Sequence, residues 1–318
     1  MTNVIFLGTP DFAATVLKGL LREQYNVIAV VTQPDKPVGR KQKLQKSPVK
    51  IIAEDENIKL YQPVKLPGSP EVEELIALNA DLIITAAYGQ FLPTSFLKSA
   101  KVAAINVHGS LLPKYRGGAP IQYSLLNGDK ETGVTIMYMV KAMDAGDIIS
   151  QEKLPIDNND DNGSLFEKLA IVGQELLLDT IPKILSGNIH PIKQDEDKVI
   201  FSPTISKEQE QLDFGQSAIQ IFNHIRALSP DPGAWAMFNG QRTKFYKSEV
   251  VDIDTDQDAG TIFEITKKKL VVVAGDGKGL SIKKIQPAGK KIMEIANYIN
   301  GTGKNLENGQ RVVEINEK

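Results

Sequence analysis

Short β-branched runs separated by helical stripes recur through the first half of this chain and constrain its fold more than any other feature. Residues 3–8, 27–32, 81–87 and 103–107 are mostly Val, Ile, Leu and Ala. Between them, Phe12, Val16, Leu17, Leu20 and Leu21 mark one face of a helix over 12–22. Residues 49–54 and 71–78 read as further helices, and 59–62 as a short strand. A strand that is apolar on both faces must be covered on both faces. Strands alternating with helices achieve this as βαβ units of a mostly parallel sheet. Residues 134–140 alternate like a strand. Leu165, Leu169, Val172, Leu176 and Ile181 form the stripe of a long helix over 164–185.

The pattern then changes. Residues 186–205 hold Gly187, Pro191 and Pro203 among mixed charges, with no strong period, and read as a connection. After a helix over 218–227, the apolar segments 234–238, 242–250, 260–266, 270–274 and 280–285 are short and alternating. Asn239-Gly240 and Gly275-Asp276-Gly277 punctuate them as turns. Strands at this spacing predict a small OB-like β-barrel, followed by a short helix over 293–300. The expected organisation is therefore a Rossmann-like α/β domain over 1–188, a linker over 189–206, and an OB-like domain over 207–318.

Composition narrows the chemistry. A chain of 318 residues with 42% hydrophobic and 24% charged side chains has the make-up of a globular protein of two domains. It has no cysteine, which excludes disulfides, thiolate metal sites and a cysteine nucleophile. Three histidines leave little for a multi-histidine metal centre, and no metal is expected. Residues 1–8 read as a buried strand and not as a signal peptide, and no apolar run approaches the roughly 18 residues of a membrane span. A cytoplasmic protein is expected. The net charge of −2 does not announce a nucleic-acid binder, but residues 34–50 hold six basic residues against Asp35 alone.

The richest polar stretch follows the run at 103–107. Asn106 and His108 are two apart on a strand, so both side chains point to one face. The strand then breaks into a loop punctuated by Gly109, Pro113, Gly117, Gly118 and Pro120. A lone histidine there would read as a packed core residue; an Asn-x-His pair at a strand exit reads as a site. Downstream, Asp144 and Asp147 flank Gly146. Asp147 reads as a solvated carboxylate and Asp144 as a charge partner for His108. Asn106, His108 and Asp144 together suit acyl transfer without a covalent intermediate. The substrate amine attacks a carbonyl, His108 relays a proton, Asp144 orients and charges the imidazole, and Asn106 donates to the developing oxyanion. Ser110 is a rival nucleophile, but it lacks the G-x-S-x-G elbow. Gly8-Thr9-Pro10 opens a helix without the G-x-G-x-x-G of a dinucleotide site.

On these residues the chain resembles the methionyl-tRNA formyltransferase family, a branch of the 10-formyltetrahydrofolate-dependent formyltransferases. The matching segments are Phe6–Ala13, Thr32–Pro37, Ala87–Gly89, Asn106–Pro120, Thr132–Met137, Asp144–Asp147 and Gln286–Lys291, so the likeness runs nearly end to end. The Asn-x-His and Ser-Leu-Leu-Pro core is specific for the chemistry and not for the acceptor. The Gly-Thr-Pro-Asp-Phe start and the Pro-Ala-Gly-Lys-Lys stretch point to the tRNA branch. The resemblance implies formyl transfer from 10-formyltetrahydrofolate to the methionine amine of initiator tRNA, with Asn106, His108 and Asp144 as the catalytic trio. It implies a folate pocket lined by Ser110, Leu111, Leu112 and Pro113, with Gln90, Phe91 and Leu92 flanking the pterin. It also implies that the basic segment 33–49, expected as a loop, grips the tRNA acceptor stem through Arg40, Lys41 and Lys43. A monomer is expected.

Two other classes compete with this reading. A formyltransferase acting on a small amine, such as a sugar nucleotide or glycinamide ribonucleotide, gives the basic segment no purpose. An RNA-binding module without chemistry leaves Asn106, His108 and Asp144 unexplained. The C-terminal stretch 207–318 has 16 basic and 15 acidic residues, which is weak support for RNA contact there. Trp235, the only tryptophan, reads as a packed barrel residue.

Overall fold

The fold is taken from a computed structural model that describes residues 1–38 and 43–315. The chain divides into two compact units. The first comprises residues 1–120, 131–155 and 166–203; the second comprises 121–130, 156–165 and 204–318. Helices and strands alternate first: β1 (Asn3–Gly8), α1 (Asp11–Arg22), β2 (Asn26–Val31), β3 (Lys36–Val38), β4 (Lys43–Gln45), α2 (Pro48–Asp55), β5 (Leu60–Tyr61), α3 (Glu71–Ala77), β6 (Leu82–Ala86), α4 (Thr94–Leu97) and β7 (Ala103–His108). Then come α5 (Pro120–Leu126), β8 (Glu131–Tyr138), β9 (Ile148–Pro155) and the long α6 (Asn162–Leu185). The chain closes with α7 (Ala218–Ala227), β10 (Ala234–Phe238), β11 (Gln241–Val251), β12 (Ile262–Ile265), β13 (Leu270–Val273), β14 (Gly279–Pro287), β15 (Met293–Glu294) and α8 (Ile295–Ile299).

The first unit is built on one seven-stranded sheet of order β5-β2-β1-β6-β7-β8-β9. The first five strands of that order are parallel, and β8 and β9 add an antiparallel edge. From β1 the chain winds outward to β2 and β5, then returns past β1 to β6 and β7. The order reverses between β1 and β6, and in open sheets of this kind ligands sit outside the carboxyl ends of the strands near that point. Burial explains the winding. β1 and β6 are buried almost throughout, and α1 covers the sheet with Phe12, Val16, Leu17 and Leu20, as its apolar spacing predicts. Start signals match the sequence: Ser47 accepts from the Lys50 amide as the N-cap of α2, with Pro48 in the first turn.

The segment expected as a loop over 33–49 holds a short antiparallel hairpin, β3 with β4. Its base is fastened: Lys50 pairs with Asp35 at 2.8 Å, and Gln62 donates to Asp35 Oδ1 at 3.0 Å and to the Gln33 carbonyl at 3.1 Å. These contacts, led by the Lys50 hydrogen bond, hold the Asp35 carboxyl below its usual range. The stretch 189–203, read from sequence as part of a linker, makes specific contacts of its own. Ile192 bridges Ile148, and Phe201 bridges Arg116.

The second unit carries an antiparallel sheet of order β10-β11-β14-β13-β12, with β15 on β14. Its five main strands fall where the alternating segments put them. Residues 309–314 then run along both outer strands. Val313 bridges Phe238 at the end of β10, Arg311 bridges Thr261 beside β12, and amides of both regions donate to the Gln310 and Val312 carbonyls. α7 opens with a full capping box between Ser217 and Gln220. The core gathers Phe214, Phe238 and Phe245, each essentially inaccessible, with the Phe245 ring 5.9 Å from Phe214 and 5.8 Å from Phe238. Trp235 is half-buried on β10 with the Arg242 guanidinium 4.0 Å over its ring. Phe245→Ala is expected to destabilise this unit by about 3–5 kcal/mol, because the cavity is lined by rings that cannot collapse into it. Urea unfolding followed by Trp235 fluorescence measures it.

Candidate active site

β6 and β7 are neighbours in parallel register, with Thr85 opposite Asn106 and Ala86 opposite Val107. Their carboxyl ends therefore lie side by side, and the polar residues of the site emerge there. Thr85 is buried on β6 and places its hydroxyl 2.6 Å from Asn106 Oδ1. The hydroxyl donates and the amide oxygen accepts, so the Asn106 NH₂ group is turned away with its protons available. A threonine inside the apolar run Leu-Ile-Ile-Thr-Ala is the signal that could have disclosed this partner, since buried hydroxyls need one.

His108 ends β7 and is 6% exposed. Its Nε2 lies 2.9 Å from the Tyr115 carbonyl, and its Nδ1 lies 3.8 Å from Asp144 Oδ2. A carbonyl can only accept, so Nε2 carries a hydrogen in both charge states. Nδ1 is then the nitrogen that gains and loses a proton, and it faces the carboxylate. Asp144 Oδ2 also accepts the Gly117 amide at 2.9 Å. Gly117 has φ +132, and a Cβ there would come within 2.5 Å of the Ser202 carbonyl. Glycine is therefore required where the loop presents this amide. Asp147, by contrast, is exposed.

The loop after His108 is fixed from β8 and β9. Thr135 donates to the Ser110 carbonyl at 2.6 Å and accepts the Leu112 amide at 3.1 Å; Gln151 Nε2 reaches both Thr135 Oγ1 at 2.8 Å and the Leu112 carbonyl at 2.9 Å. The Ser110 hydroxyl donates to the Lys114 carbonyl at 2.6 Å, which occupies the rival nucleophile's proton in its own turn. Ser110 and Leu112 are buried, and Leu111 and Pro113 are half-buried. Across the strand ends, Gln90 is tied through its amide to the Leu66 N–H at 2.9 Å and the Val64 carbonyl at 3.2 Å. Phe91 is 66% exposed, and Leu92 packs against the core beneath it. Burial, aided by the Glu71 charge, pushes the Tyr88 hydroxyl up to about 12.

The structure thus brings Asn106, His108 and Asp144 to one place at the strand ends. Sequence reasoning missed Thr85 and Gln194, which bond Asn106 and Asp144, and Gln151 and Arg116, which brace the loop after His108 and Gln194 respectively. Of the basic residues over 34–50, Lys36, Lys46 and Lys50 engage Gln33, Glu54 and Asp35. Lys43 is exposed on β4. Arg40 and Lys41 lie outside the described residues. Among the described residues, no group of three or more His, Asp or Glu is arranged to hold a metal ion, and no helix is long and apolar enough to cross a membrane.

An amide, an imidazole and a carboxylate gathered where β7 ends are groups suited to group transfer. The chain belongs to the formyl transferase family: residues 2–181 match the formyl transferase model, and 204–303 match that of the formyl transferase C-terminal domain. It is 56% identical over 313 residues to the methionyl-tRNA formyltransferase of Latilactobacillus sakei, covering 98% of each chain. It is 54% identical over 318 residues to that of Ligilactobacillus salivarius, covering 100% of each. Among solved structures, an N-formyltransferase from Helicobacter canadensis, described as a complex with folinic acid and dTDP-3-aminofucose, shares the fold. Its TM-score is 0.69 at 22% identity, over 90% of this chain and 100% of that one.

Proposed function

We propose that this enzyme transfers the formyl group of 10-formyltetrahydrofolate to the free amine of methionine on initiator methionyl-tRNA, acting in the cytoplasm as a monomer. The observation that carries the chemistry is the approach of Asp144 to the one His108 nitrogen left to exchange a proton. Relatives above 50% identity over nearly the whole chain, all named methionyl-tRNA formyltransferase, support the acceptor. The sugar-modifying alternative rests on structures that share the fold alone.

The folate supplies an activated formyl group. Residues at the strand ends suit such a ligand: Phe91, Leu92, Leu111 and Pro113 offer apolar surface to a flat ring, and the loop backbone is held rigid beneath it. His108 Nδ1 takes the proton released by the attacking amine and passes it to the departing nitrogen. Asp144 stabilises the imidazolium while it exists. The Asn106 NH₂ group donates to the formyl oxygen as negative charge builds on it. Arg40, Lys41 and Lys43 contact acceptor-stem phosphates, positioning the tRNA without reading its sequence. Lys36, Lys46 and Lys50 brace the base of that segment instead.

Formylation assayed on charged initiator tRNA, charged elongator tRNA, uncharged tRNA and a sugar-nucleotide amine tests the acceptor; transfer to the small amine and not to tRNA would defeat this reading. Changing Arg40 and Lys41 together to alanine is expected to weaken tRNA use and to reduce the slope of log affinity against log salt by about one for each phosphate no longer neutralised. An unchanged slope would remove the tRNA role from this segment.

A further inference from the structure

We infer that Gln194 is a positioning residue that fixes where the Asp144 carboxylate stands relative to His108, an inference that rests on the roles just given to those two side chains. Gln194 follows the long α6 in the chain, in a stretch without regular secondary structure. It is nonetheless 4% exposed, and its amide is used at both ends. Nε2 donates to the Asp144 carbonyl at 2.8 Å and to the Gly146 carbonyl at 2.7 Å. Oε1 accepts from Arg116 Nε at 3.0 Å. Arg116 is itself 4% exposed and forks onto Glu196 at 3.1 and 2.9 Å.

These bonds close a ring. From the Asp144 carboxylate it runs to the Gly117 amide, through the neighbouring Arg116 side chain to the Gln194 amide, and back to the Asp144 carbonyl. Both ends of Asp144 are therefore held, one by the loop after His108 and the other by Gln194. The residue needs holding. Its φ is +50, in the left-handed region that residues other than glycine rarely occupy and that local hydrogen bonds help to hold. On the far side of the turn, Gly146 is pressed against the Tyr138 carbonyl, with no room for a side chain. Gln194 touches none of the reacting groups. It acts by spanning Asp144 and Gly146 and tying that turn to the loop that carries Tyr115 and Gly117, the two backbone partners of the His108–Asp144 pair.

Two isosteric substitutions separate the possible roles. Gln194→Met removes all three hydrogen bonds. Gln194→Glu keeps an acceptor for Arg116 but sets a carboxylate against two carbonyls. Each is measured in the full chain for kcat and for KM of both substrates, alone and combined with Asp144→Asn. Both are expected to lower kcat by roughly 10- to 100-fold, the scale of a 1 Å misplacement, with both KM values essentially unchanged. Neither should slow the Asp144→Asn enzyme further. Wild-type turnover in Gln194→Glu would show that only the Arg116 contact matters and would overturn the inference. So would equal losses in the two backgrounds, or loss of the thermal transition in both variants, since each marks a general structural role. If the unaltered chain transfers no formyl group, the reading of the site fails before Gln194 is tested.

Discussion

His108→Ala is expected to lower turnover by about 10²- to 10⁴-fold, the range that a positioned acid–base group contributes, while a folate analogue still binds nearly as tightly. The split follows from geometry. His108 is buried, with one nitrogen committed to the Tyr115 carbonyl and the other facing Asp144, so its ring offers the folate little contact surface. Of the groups assigned to folate, Ser110 to Pro113 lie on the following loop, which Thr135 and Gln151 bond without help from the imidazole, and Gln90 to Leu92 lie on the segment after β6. Single-turnover formylation gives the rate, and calorimetric titration with 5-formyltetrahydrofolate gives the affinity. Full turnover in this variant would remove His108 from the mechanism. A parallel loss of rate and affinity would make it a support for the loop.

Asn106→Ala should cost about 10²–10³ in kcat, the usual loss for one donor to a developing oxyanion, again with little change in KM. The half of the amide that matters is set by Thr85, whose hydroxyl occupies Oδ1 at 2.6 Å. Thr85→Val keeps the volume on β6 but frees the amide to rotate, so it should produce a smaller loss of the same kind. A Thr85→Val enzyme slower than Asn106→Ala would contradict this order and would move the donor role from the amide to the hydroxyl.

The parts of this fold legible in the sequence are those that local pattern encodes. α1 carries its apolar face at a 3.6-residue period, and α7 its capping residues, so each lies within a residue of its expected position. The Asn106–His108 pair was legible because alternation along a strand is a property of the backbone alone. β9 was not, because Ile148–Pro155 has four exposed residues in its pattern and no unbroken apolar run. The β3–β4 hairpin was hidden by prolines and charges that read as a loop. The ring through Gln194 was hidden for another reason: its bonds join residues 50 and 78 positions apart, and nothing local marks which glutamine in a polar stretch will be drawn inside. Asp144 could be named from sequence as a partner for His108; the scaffold that brings them together could not.

The run of residues 309–314 along both outer strands of the second unit has a practical corollary. A sheet whose outer strands are paired in this way offers a neighbouring molecule less unpaired backbone to extend. A protease nick or premature stop just ahead of Gln310 would uncover the border at β12 and the far end of β10, which Gln211 and Leu212 would still cover at Trp235, leaving a species prone to associate strand to strand. Truncations made for crystallisation or tagging should therefore leave this last stretch in place, and a shortened protein that precipitates would be reporting an unsealed sheet and not a damaged active site.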